Sequence, residues 1–532
     1  MEVDKVLREI VNVGIELSAQ KDTTKLLEMI LQAAKRLSNA DGGTIYGVTD
    51  DNKLRFDTLF NDSLQFYMGG SSGKPIPFDP IPIYKDDGNV NESALVAIAA
   101  GKRQVINIED AYAVTEYDLS GPRRVDEQTG YHTKSVLTIP MNNHEGDVNG
   151  VLQLINAQNS HDEVISFDEE TEKSIRALAS LAAVALTNRQ LIDSMELLFQ
   201  SFTRLIAKAI DEKSPYTGGH CRRVPELTMM IADAVCRHQD GPLAQFSMSD
   251  EDKNELSIAG WLHDCGKIAT PEYVMDKSKK LESVFDRIEL VKTRFELAKR
   301  DVEISFLKKM AASSNEQEKR LLEQQMQEAI QAITDDYLFI EKANTGGEFM
   351  TPEDQQRVVD ISQAHNVVLN GASHPLLTDE EAYNLQIARG TLNKEERQII
   401  NRHMDITISM LESLPFPKHL QRVPEYAGGH HEKMDGTGYP KGLTKEQMSI
   451  PARMMAIADI FEALTASDRP YKPAKKVSEC LKIMGFMCKD QHIDPELFDI
   501  FIKQKVYEQY AKAYLSEDQF DEIILEKIPG YG

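Results

Sequence analysis

Cysteine is scarce in this sequence, and no two cysteines form the pair that a metal ribbon or a disulfide framework needs. The 532 residues include five cysteines, an odd number, and none stand in a C-x-x-C arrangement. Zinc ribbons and disulfide-stapled secreted domains depend on such pairs. The composition therefore excludes both classes and is typical of a protein of the reducing cytoplasm.

A long apolar run and an export signal are also missing. The longest uncharged apolar stretch in a helical pattern, ALASLAAVALTN (177–188), has 12 residues, whereas a helix that spans a bilayer needs about 20. The start, MEVDKVLREI, contains acidic residues and no apolar core of a signal peptide. We expect a cytoplasmic protein that does not enter a membrane.

Basic residues are in deficit. Sixty Lys and Arg stand against 85 Asp and Glu, which gives a formal net charge of −25. Such a balance argues against binding to nucleic acid polymers or to anionic membranes. An anionic substrate would have to be attracted by a local cationic site.

The N-terminal part, residues 1–189, alternates helical and strand patterns. TIYGVTDDNKLRFDTL (44–59) predicts two strands around an Asp-Asp-Asn turn, and SVLTIPM with GVLQLIN (135–156) predicts a second hairpin. Amphipathic helices before them (26–37) and after them (169–186) complete an α+β domain. At roughly 150 residues per domain, the whole chain of 532 residues is long enough for three or four domains.

This α+β pattern resembles a GAF domain, a fold used as a small-molecule sensor and for dimerisation. Asn156 followed by Phe167, Asp168 and Glu169 is similar to the signature of cyclic-nucleotide GAF domains, although Ala157 replaces the usual lysine. The resemblance implies a regulatory domain with a small ligand of unknown identity. A GAF domain used only for packing is the alternative.

A continuous helix is predicted to connect the two parts of the chain over residues 190–210. Apolar residues recur at mostly three- and four-residue steps, close to a coiled-coil seam that Arg189 interrupts; they are Ile175, Leu178, Ala182, Ala185, Ile192, Met195, Phe199, Phe202, Ile206 and Ala209. The pattern favours a parallel homodimer. An ordinary amphipathic helix packed on its own domain is the alternative.

The C-terminal part, residues 211–532, is helical and carries an insertion at about 276–389. Two heptad-spaced runs separated by the polar SSNEQEK break predict an antiparallel helical hairpin; they are Leu281, Val284, Ile288, Val291, Phe295, Ala298 and Val302, then Leu322, Met326, Ala329 and Ile333. We expect this insertion to pack or gate and not to catalyse.

Several histidines and one aspartate lie on apolar helical stripes, where their burial would be costly. The residues concerned are His220, His263, His403 and Asp459. An unpaired buried carboxylate costs several kcal/mol, and one metal centre would satisfy all of these groups together. The alternative for any single histidine is a core residue bonded to a backbone carbonyl.

Two adjacent pairs, His263-Asp264 and His430-His431, strengthen the metal hypothesis. Neighbours in a helix point about 100° apart, so His263 and Asp264 could straddle a site that holds more than one ion. His430 and His431 precede a glycine-rich irregular segment in HHEKMDGTGYPKGL. Imidazole and carboxylate without thiolate suit iron or manganese, and less typically zinc.

These motifs resemble the bacterial HD-GYP family, a branch of the HD metal-dependent phosphohydrolases. The similarity lies in LHDCGKI (262–268) and HHEKMDGTGYP (430–440), with SPYTGGHCRRV, LNKEERQIINRH and ADIFEALTASDRPYKP in the expected order. The family is an all-helical metalloenzyme fold that hydrolyses cyclic di-GMP to the linear dinucleotide and often on to GMP. The resemblance implies a GAF-regulated phosphodiesterase.

Residue by residue, the resemblance implies a two-metal site. One ion would be held by His220, His263, Asp264 and Asp459, and Asp264 would bridge to a second ion held by His403, His430 and His431. Some relatives bind a third ion with an acid one turn before the first histidine. Tyr216 stands at that place, which favours two ions, most simply iron or manganese.

Cationic residues near these motifs are candidates for substrate binding. Lys267, three residues after Asp264, is predicted to contact the scissile phosphate; Arg469 and Lys472, each before a proline, are predicted to bind the other phosphates. Glu432 and Asp435 are expected to orient the loop or the histidine pair. The Gly436, Gly438, Tyr439 and Pro440 segment is a candidate contact for GGDEF-type cyclases.

Two further functions remain open at this level. The same fold could act on another phosphoester, such as cyclic GMP-AMP or a nucleoside phosphate, or the chain could be a catalytically silent receptor or scaffold. All seven candidate ligands are present, which disfavours a silent protein.

Overall fold

The computed structural model describes residues 2–213, 219–347, 349–364, 366–467 and 474–531, and the chain divides into two compact units, residues 1–198 and 199–532. Each unit is described by itself. None of the described helices combines the length and apolarity that crossing a membrane would need.

The first unit is an α+β domain. Its helices are α1 (Glu2–Ala19), α2 (Thr23–Ser38), α3 (Leu95–Lys102), α4 (Ser120–Thr129) and the start of α5 (Glu169–Lys213). Its strands are β1 (Ala40–Val48), β2 (Lys53–Asn61), β3 (Phe66–Gly69), β4 (Ile81–Pro82), β5 (Ile106–Ile108), β6 (Val136–Asn142), β7 (Val148–Gln158) and β8 (Val164–Ile165).

An antiparallel sheet forms the centre of this unit, in the order β3-β2-β1-β7-β6-β5. The two hairpins predicted from the sequence are confirmed as β1–β2 and β6–β7. Alternate residues supply two separate apolar clusters. Ile45 and Leu152, which are paired across β1 and β7, share one cluster with α2 and α5, while Tyr46 shares the other with α3.

Helix α5 is a single helix of 45 residues that starts in the first unit and ends in the second. Its first turns belong to the core of the first unit, because Ile175, Leu178 and Ala182 are fully buried there. The part of the predicted seam before Arg189 is therefore domain core, as in the ordinary amphipathic alternative. From Leu191 to Leu198 every residue of α5 is exposed.

The second unit is mainly helical. It contains α6 (His220–Arg237), α7 (Asp250–Leu262), α8 (Glu272–Met275), α9 (Ile288–Ala312), α10 (Glu316–Asn344), α11 (Pro352–Ala364), α12 (Asp379–Leu385), α13 (Lys394–Asn401), α14 (His403–Glu412), α15 (Val423–Gly428), α16 (Ile450–Thr465), α17 (Val477–Lys489), α18 (Pro495–Lys503) and α19 (Val506–Tyr514). Two short strands, β9 (Asn366–Leu369) and β10 (Ala372–Pro375), pair with each other.

One large apolar cluster organises the helices that carry the predicted ligands. It joins α6, α7, α15 and α16 to the C-terminal helices α17–α19. Helix α16 begins where Ser449 accepts a hydrogen bond from the Ala452 amide and Pro451 occupies the first turn, both favourable at a helix start. This start places Asp459 in the middle of a buried helix.

The insertion has an apolar cluster of its own. The predicted hairpin is confirmed as α9 and α10, which pack through buried residues such as Phe295 and Ile333. The same cluster includes Val367 and Leu376, from the segment that forms the β9–β10 pair. The insertion therefore contains a small two-stranded sheet as well as the expected helices.

Candidate metal centre

Six elements of the second unit bring the predicted ligands together. His220 is the first residue of α6 and His403 the first residue of α14. Asp459 lies within α16, and His430 and His431 follow α15 after Gly429. His263 lies at the end of α7 and Asp264 opens a 3₁₀ turn, Cys265–Ala269. The pair His263-Asp264 therefore marks a bend between two elements and not two positions in one helix.

Three of the histidines are oriented by the same device, a hydrogen bond from Nδ1 to the carbonyl three residues earlier. His263 bonds Gly260 at 2.7 Å, His430 bonds Ala427 at 2.7 Å, and His403 bonds Ile400. Since a carbonyl only accepts, Nδ1 carries the hydrogen and Nε2 presents a lone pair. Each ring thus combines the two hypotheses, because Nδ1 bonds a backbone carbonyl as in a core histidine and Nε2 is the candidate metal ligand.

The opposite side of each ring makes no hydrogen bond within the described residues. Nε2 of His263, His403 and His430 and Oδ1 of Asp264 are buried and make no hydrogen bond there. Buried polar atoms are nearly always paired in native proteins. Four orphaned atoms of metal-ligating type in one place are what a metal centre would satisfy.

His220 is oriented by a carboxylate instead of a carbonyl. Its Nδ1 donates to Glu462, which is fully buried and also accepts from Arg223. Its Nε2 lies 3.3 Å from Oδ2 of Asp264 and 3.3 Å from Oδ1 of Asp459. The ring therefore points the same nitrogen into the site as the other three histidines do.

Asp264 stands between two groups of ligands. Its Oδ2 lies 3.2 Å from Nε2 of His263, and its Oδ1 lies 3.3 Å from Nε2 of His403. The ligand atoms of His220, His263 and Asp264 lie within 4.8 Å of one another, and so do those of a second set, His403, His430 and His431. Oδ2 of Asp264 thus faces the first set and Oδ1 faces His403 of the second set, which is compatible with a bridging carboxylate.

Protonation at this site suits a cation. Burial lowers the pKa of His431 to about 4, and burial together with neighbouring histidines lowers the pKa of His430 well below its usual value. Burial alone would raise the pKa of Asp264, but Lys267 and His263 outweigh it and hold that pKa well below its usual range. Neutral imidazole and ionised carboxylate are the forms that bind metals.

The pKa of His220 is shifted in the opposite direction from the pKa values of His430 and His431. Burial would lower its pKa, but Glu462, Asp264 and Asp459 outweigh burial and raise the pKa well above the usual value. The carboxylates of the site therefore favour the protonated form of this ring. An ion bound between them would displace that proton, as metal binding to histidine generally does.

The glycine-rich loop packs beside the second group. Glu432, buried, accepts hydrogen bonds from the amides of Lys441 at 2.7 Å and Leu443 at 2.9 Å, which closes the loop. At Gly438 a Cβ would meet the Lys433 nitrogen at 2.4 Å, so the close approach requires glycine. The ring of Tyr439 stacks on His431 with a centroid distance of 4.9 Å.

Two other residues of this loop lie at its turn. Asp435 is exposed and accepts from the backbone and the hydroxyl of Thr437, and Gly436 has a φ of +79°. Asp435 thus orients the turn and is not a member of either ligand set. Pro440 follows Tyr439 in the same segment.

The predicted substrate cations are only partly located. The Nζ of Lys267 forms an ion pair with Oδ2 of Asp264, so this lysine lies at the site and contacts a candidate ligand. Arg469, Lys472 and Tyr216 lie outside the described residues.

Sequence reasoning missed Glu462 and Arg223. The available signal was spacing, since Glu462 follows Asp459 by three residues on the same apolar helix and so shares its face. A glutamate near a helix end is, however, more often a solvated residue, and its partner Arg223 lies far away in the sequence.

Comparison with protein-family models identifies two kinds of domain in the chain. Residues 22–186 match a model described as GAF domain, and residues 217–337 and 376–497 match models described as HD domain. The GAF match agrees with the α+β fold of the first unit. The two HD matches together include all seven predicted ligands.

Curated relatives match over short segments. A 3'3'-cGAMP-specific phosphodiesterase 1 of Vibrio cholerae is 35% identical over 128 residues, 24% of this chain and 28% of the relative. The cyclic di-GMP phosphodiesterase PA4108 of Pseudomonas aeruginosa is 39% identical over 114 residues, 21% of this chain and 26% of the relative. The chain thus spans little more than a quarter of the length of these relatives.

Among solved structures, the GAF domain from an Acinetobacter phosphoenolpyruvate-protein phosphotransferase is 12% identical. The match covers 36% of this chain and 98% of the solved chain, with a TM-score of 0.27.

Proposed function

We propose that this chain, which combines a GAF domain with an HD domain, is a metal-dependent phosphodiesterase that hydrolyses cyclic di-GMP. The observation that carries the proposal is the set of four buried ligand atoms around Asp264 that make no hydrogen bond within the described residues. Relatives that are named as phosphodiesterases of 3'3'-cGAMP and of cyclic di-GMP support the substrate class.

Two divalent ions, iron or manganese, fit the donor set. His220, His263, Asp264 and Asp459 would hold one, and His403, His430 and His431 would hold the other, with Asp264 shared. Such ions, when bound, supply Lewis acidity and lower the pKa of water to near neutrality. The absence of thiolate from both sets supports iron or manganese over a structural zinc.

The chain's own residues would position the substrate and balance its charge. Lys267 keeps an ammonium group against Asp264, where it can also meet a phosphate oxygen. Arg469 and Lys472 remain our proposals for the outer phosphates. These cations would make the site attractive to a phosphodiester within an acidic protein.

A second substrate is supported by a specific observation. One relative that matches this chain is named for 3'3'-cGAMP and another for cyclic di-GMP. Both compounds offer the same phosphodiester linkage, and the ligand atoms described above do not distinguish their bases.

The test is hydrolysis by the full chain after anaerobic reconstitution with Fe²⁺ or Mn²⁺. Cyclic di-GMP and 3'3'-cGAMP are incubated separately, and linear dinucleotides and mononucleotides are separated by chromatography. We expect hydrolysis of cyclic di-GMP that is lost in Asp264→Asn and retained in the exposed-site control Glu446→Gln. A parent protein that binds both ions and cleaves neither compound would favour a silent receptor.

We further propose that the GAF domain binds a small ligand and thereby regulates hydrolysis. Thr44, Gln153 and Thr138 lie in one row across β1, β7 and β6, on the face that carries Tyr46. Gln153 donates to Thr138 at 3.1 Å and accepts from Tyr46 at 3.3 Å. A ligand that raises the melting temperature of the parent and not of Gln153→Leu would support this row as its site.

We also propose a parallel homodimer through α5, with a seam shifted from the one that the sequence predicted. Exposed residues follow strict three- and four-residue steps: Leu181, Val184, Asn188, Leu191, Met195, Leu198, Phe202, Leu205 and Ala209. One heptad position of the stripe is occupied mainly by leucine, and the other includes the polar residue Asn188. Both features favour a coiled coil of two parallel helices in register.

A second copy fits this stripe because the two faces of a parallel coiled coil are identical. The exposed fraction of Met195 is 71% and that of Leu205 is 60%, values that a lone chain would leave in water. Sedimentation should show a dimer for the parent and a monomer for Leu191→Lys with Leu198→Lys. Leu197→Lys, exposed but off the stripe, is the matched control, and a dimer in all variants would contradict this seam.

A further inference from the structure

The last turn of α5 contacts both segments that carry the first set of candidate ligands. Its two residues Asp211 and Lys213 reach different targets, one the start of α6 and the other the 3₁₀ turn after Asp264. All of these residues belong to the second unit.

Lys213 caps the 3₁₀ turn. Its Nζ donates to the carbonyls of Lys267 at 3.2 Å and Thr270 at 2.6 Å, and also to that of Ile268. The Lys267 carbonyl also accepts from the Thr270 amide. The last carbonyls of a helical turn generally lack partners within the turn, and a cation there supplies a donor while it opposes the local dipole. The ammonium group thus holds the backbone of the turn that Asp264 opens.

Asp211 caps α6. Its carboxylate accepts from the amide of Gly219 at 3.1 Å and from that of Cys221 at 3.3 Å, on either side of His220. Gly219 has no side chain with which to cap the helix itself. The aspartate therefore supplies the acceptor that serine or aspartate usually supplies at the N-cap position, and it fixes the first residue of α6.

We infer that Asp211 and Lys213 are positioning residues that set the distance between His220 and Asp264. Nε2 of His220 lies 3.3 Å from Oδ2 of Asp264. Asp211 holds the segment that carries His220, and Lys213 holds the segment that carries Asp264, so the two residues together form a clamp. Because Asp211 and Lys213 are two residues apart on the same helical turn, they move together. A displacement of the end of α5 would act on both segments at once.

The inference rests on the proposed function for its catalytic consequence, but its structural part does not. A ligand that shifts α5 would change the metal centre without touching it. This gives a route by which the helix that begins in the GAF domain regulates the HD domain. Asp211 and Lys213 are thus a pair of charged residues that act on the metal centre although they lie outside both ligand sets.

The test uses full-length Lys213→Met and Asp211→Asn, with Lys208→Met and Glu212→Gln as matched controls. Both control residues are exposed on the same part of α5. Hydrogen–deuterium exchange is measured on the metal-free proteins over 219–227 and 263–275, and Mn²⁺ binding is measured by calorimetry. The parent's kcat and KM for cyclic di-GMP are compared with those of each variant.

We expect faster exchange over 263–275 in Lys213→Met and over 219–227 in Asp211→Asn. Mn²⁺ affinity should fall by roughly tenfold in each, since residues that orient metal ligands have effects of this size. In the active enzyme kcat should fall more than KM rises, and Lys213→Arg, which keeps the donors, should recover most of the loss.

Exchange and Mn²⁺ affinity equal to those of the controls would overturn the inference, whatever the enzyme does. If the parent hydrolyses no cyclic dinucleotide, the proposed function fails while exchange and metal binding still decide the clamp. If Lys213→Met does not fold, Asp211→Asn against Glu212→Gln decides it.

Discussion

Glu462 accepts a hydrogen bond from Nδ1 of His220, so a buried carboxylate determines which way this ring faces. Arg223 holds the other oxygen of Glu462 at 2.6 Å. The three residues form a charged chain that ends at the candidate metal centre. The residue that orients His220 is therefore part of the site, although it belongs to neither ligand set.

Replacing Glu462 with glutamine should weaken the centre without changing its shape. The amide keeps only one acceptor oxygen for two donors, His220 and Arg223, and loses the charge that favours the Nδ1–H tautomer of His220. We expect Mn²⁺ affinity to fall by roughly tenfold, as for other partners of ligating histidines. Calorimetric titration measures this, and an affinity equal to that of the exposed control Glu446→Gln would contradict the assigned role.

Lys267→Met should separate metal binding from turnover. Removing a cation next to Asp264 leaves less repulsion for an incoming ion, so bound metal should stay at the parent level. Turnover should fall by roughly a hundredfold if the ammonium group stabilises charge on the phosphate. Metal analysis and kcat of the same samples check this, and kcat equal to that of Lys208→Met would refute the phosphate contact.

Gly266→Ala should destabilise the second unit. A Cβ at this position would meet the His403 carbonyl oxygen at 2.0 Å and the Thr407 nitrogen at 2.6 Å. The 3₁₀ turn would have to move away from α14, at a cost of about 1–3 kcal/mol for such overpacking. Urea unfolding measures the loss. Gly121→Ala in α4, where a Cβ meets nothing within 4 Å, should not be destabilised.

Lys280 should make the stability of the insertion depend on pH above neutrality. Its Nζ is buried against the Leu385 carbonyl at 3.0 Å, with no carboxylate of the described residues at ion-pair distance, and burial lowers its pKa from 10.5 to about 8. Between these values the unfolded chain binds more protons than the folded one. The free energy of unfolding should therefore rise with pH across that window.

The comparison of Lys280→Met with the parent isolates this contribution, since other groups titrate alike in both. The stabilising effect of the substitution should be larger at pH 7 than at pH 10.5. Denaturant unfolding at both pH values measures it, and Lys292→Met, at an exposed position of α9, is the control. An effect of Lys280→Met that does not change with pH would contradict the prediction.

Local patterns predicted several of the secondary-structure elements. The hairpins β1–β2 and β6–β7 and the helical pair α9–α10 were predicted from alternation, turn residues and heptad spacing. Each of these signals depends on residues close together in the sequence. The strands β9 and β10, four residues each, are too short to give such a signal.

The seam on α5 shows where periodicity fails. Ile175 and Leu178 have the spacing of a coiled coil, but the core of the first unit covers them. Leu191 and Leu198 lie on a neighbouring face and are exposed. A period identifies an apolar face, yet it carries no information about which surface covers that face.

The sequence by itself determined which side chains can bind metal, because imidazole and carboxylate at His220, His263, Asp264 and His431 are matters of composition and motif. Only the tertiary structure decided how they are held. Glu462, Asp211 and Lys213 act on segments that are distant from them or separated by a turn. Their roles come from packing of α5, α6 and α16, and no local pattern records such contacts, since burial and distance exist only after the chain has folded.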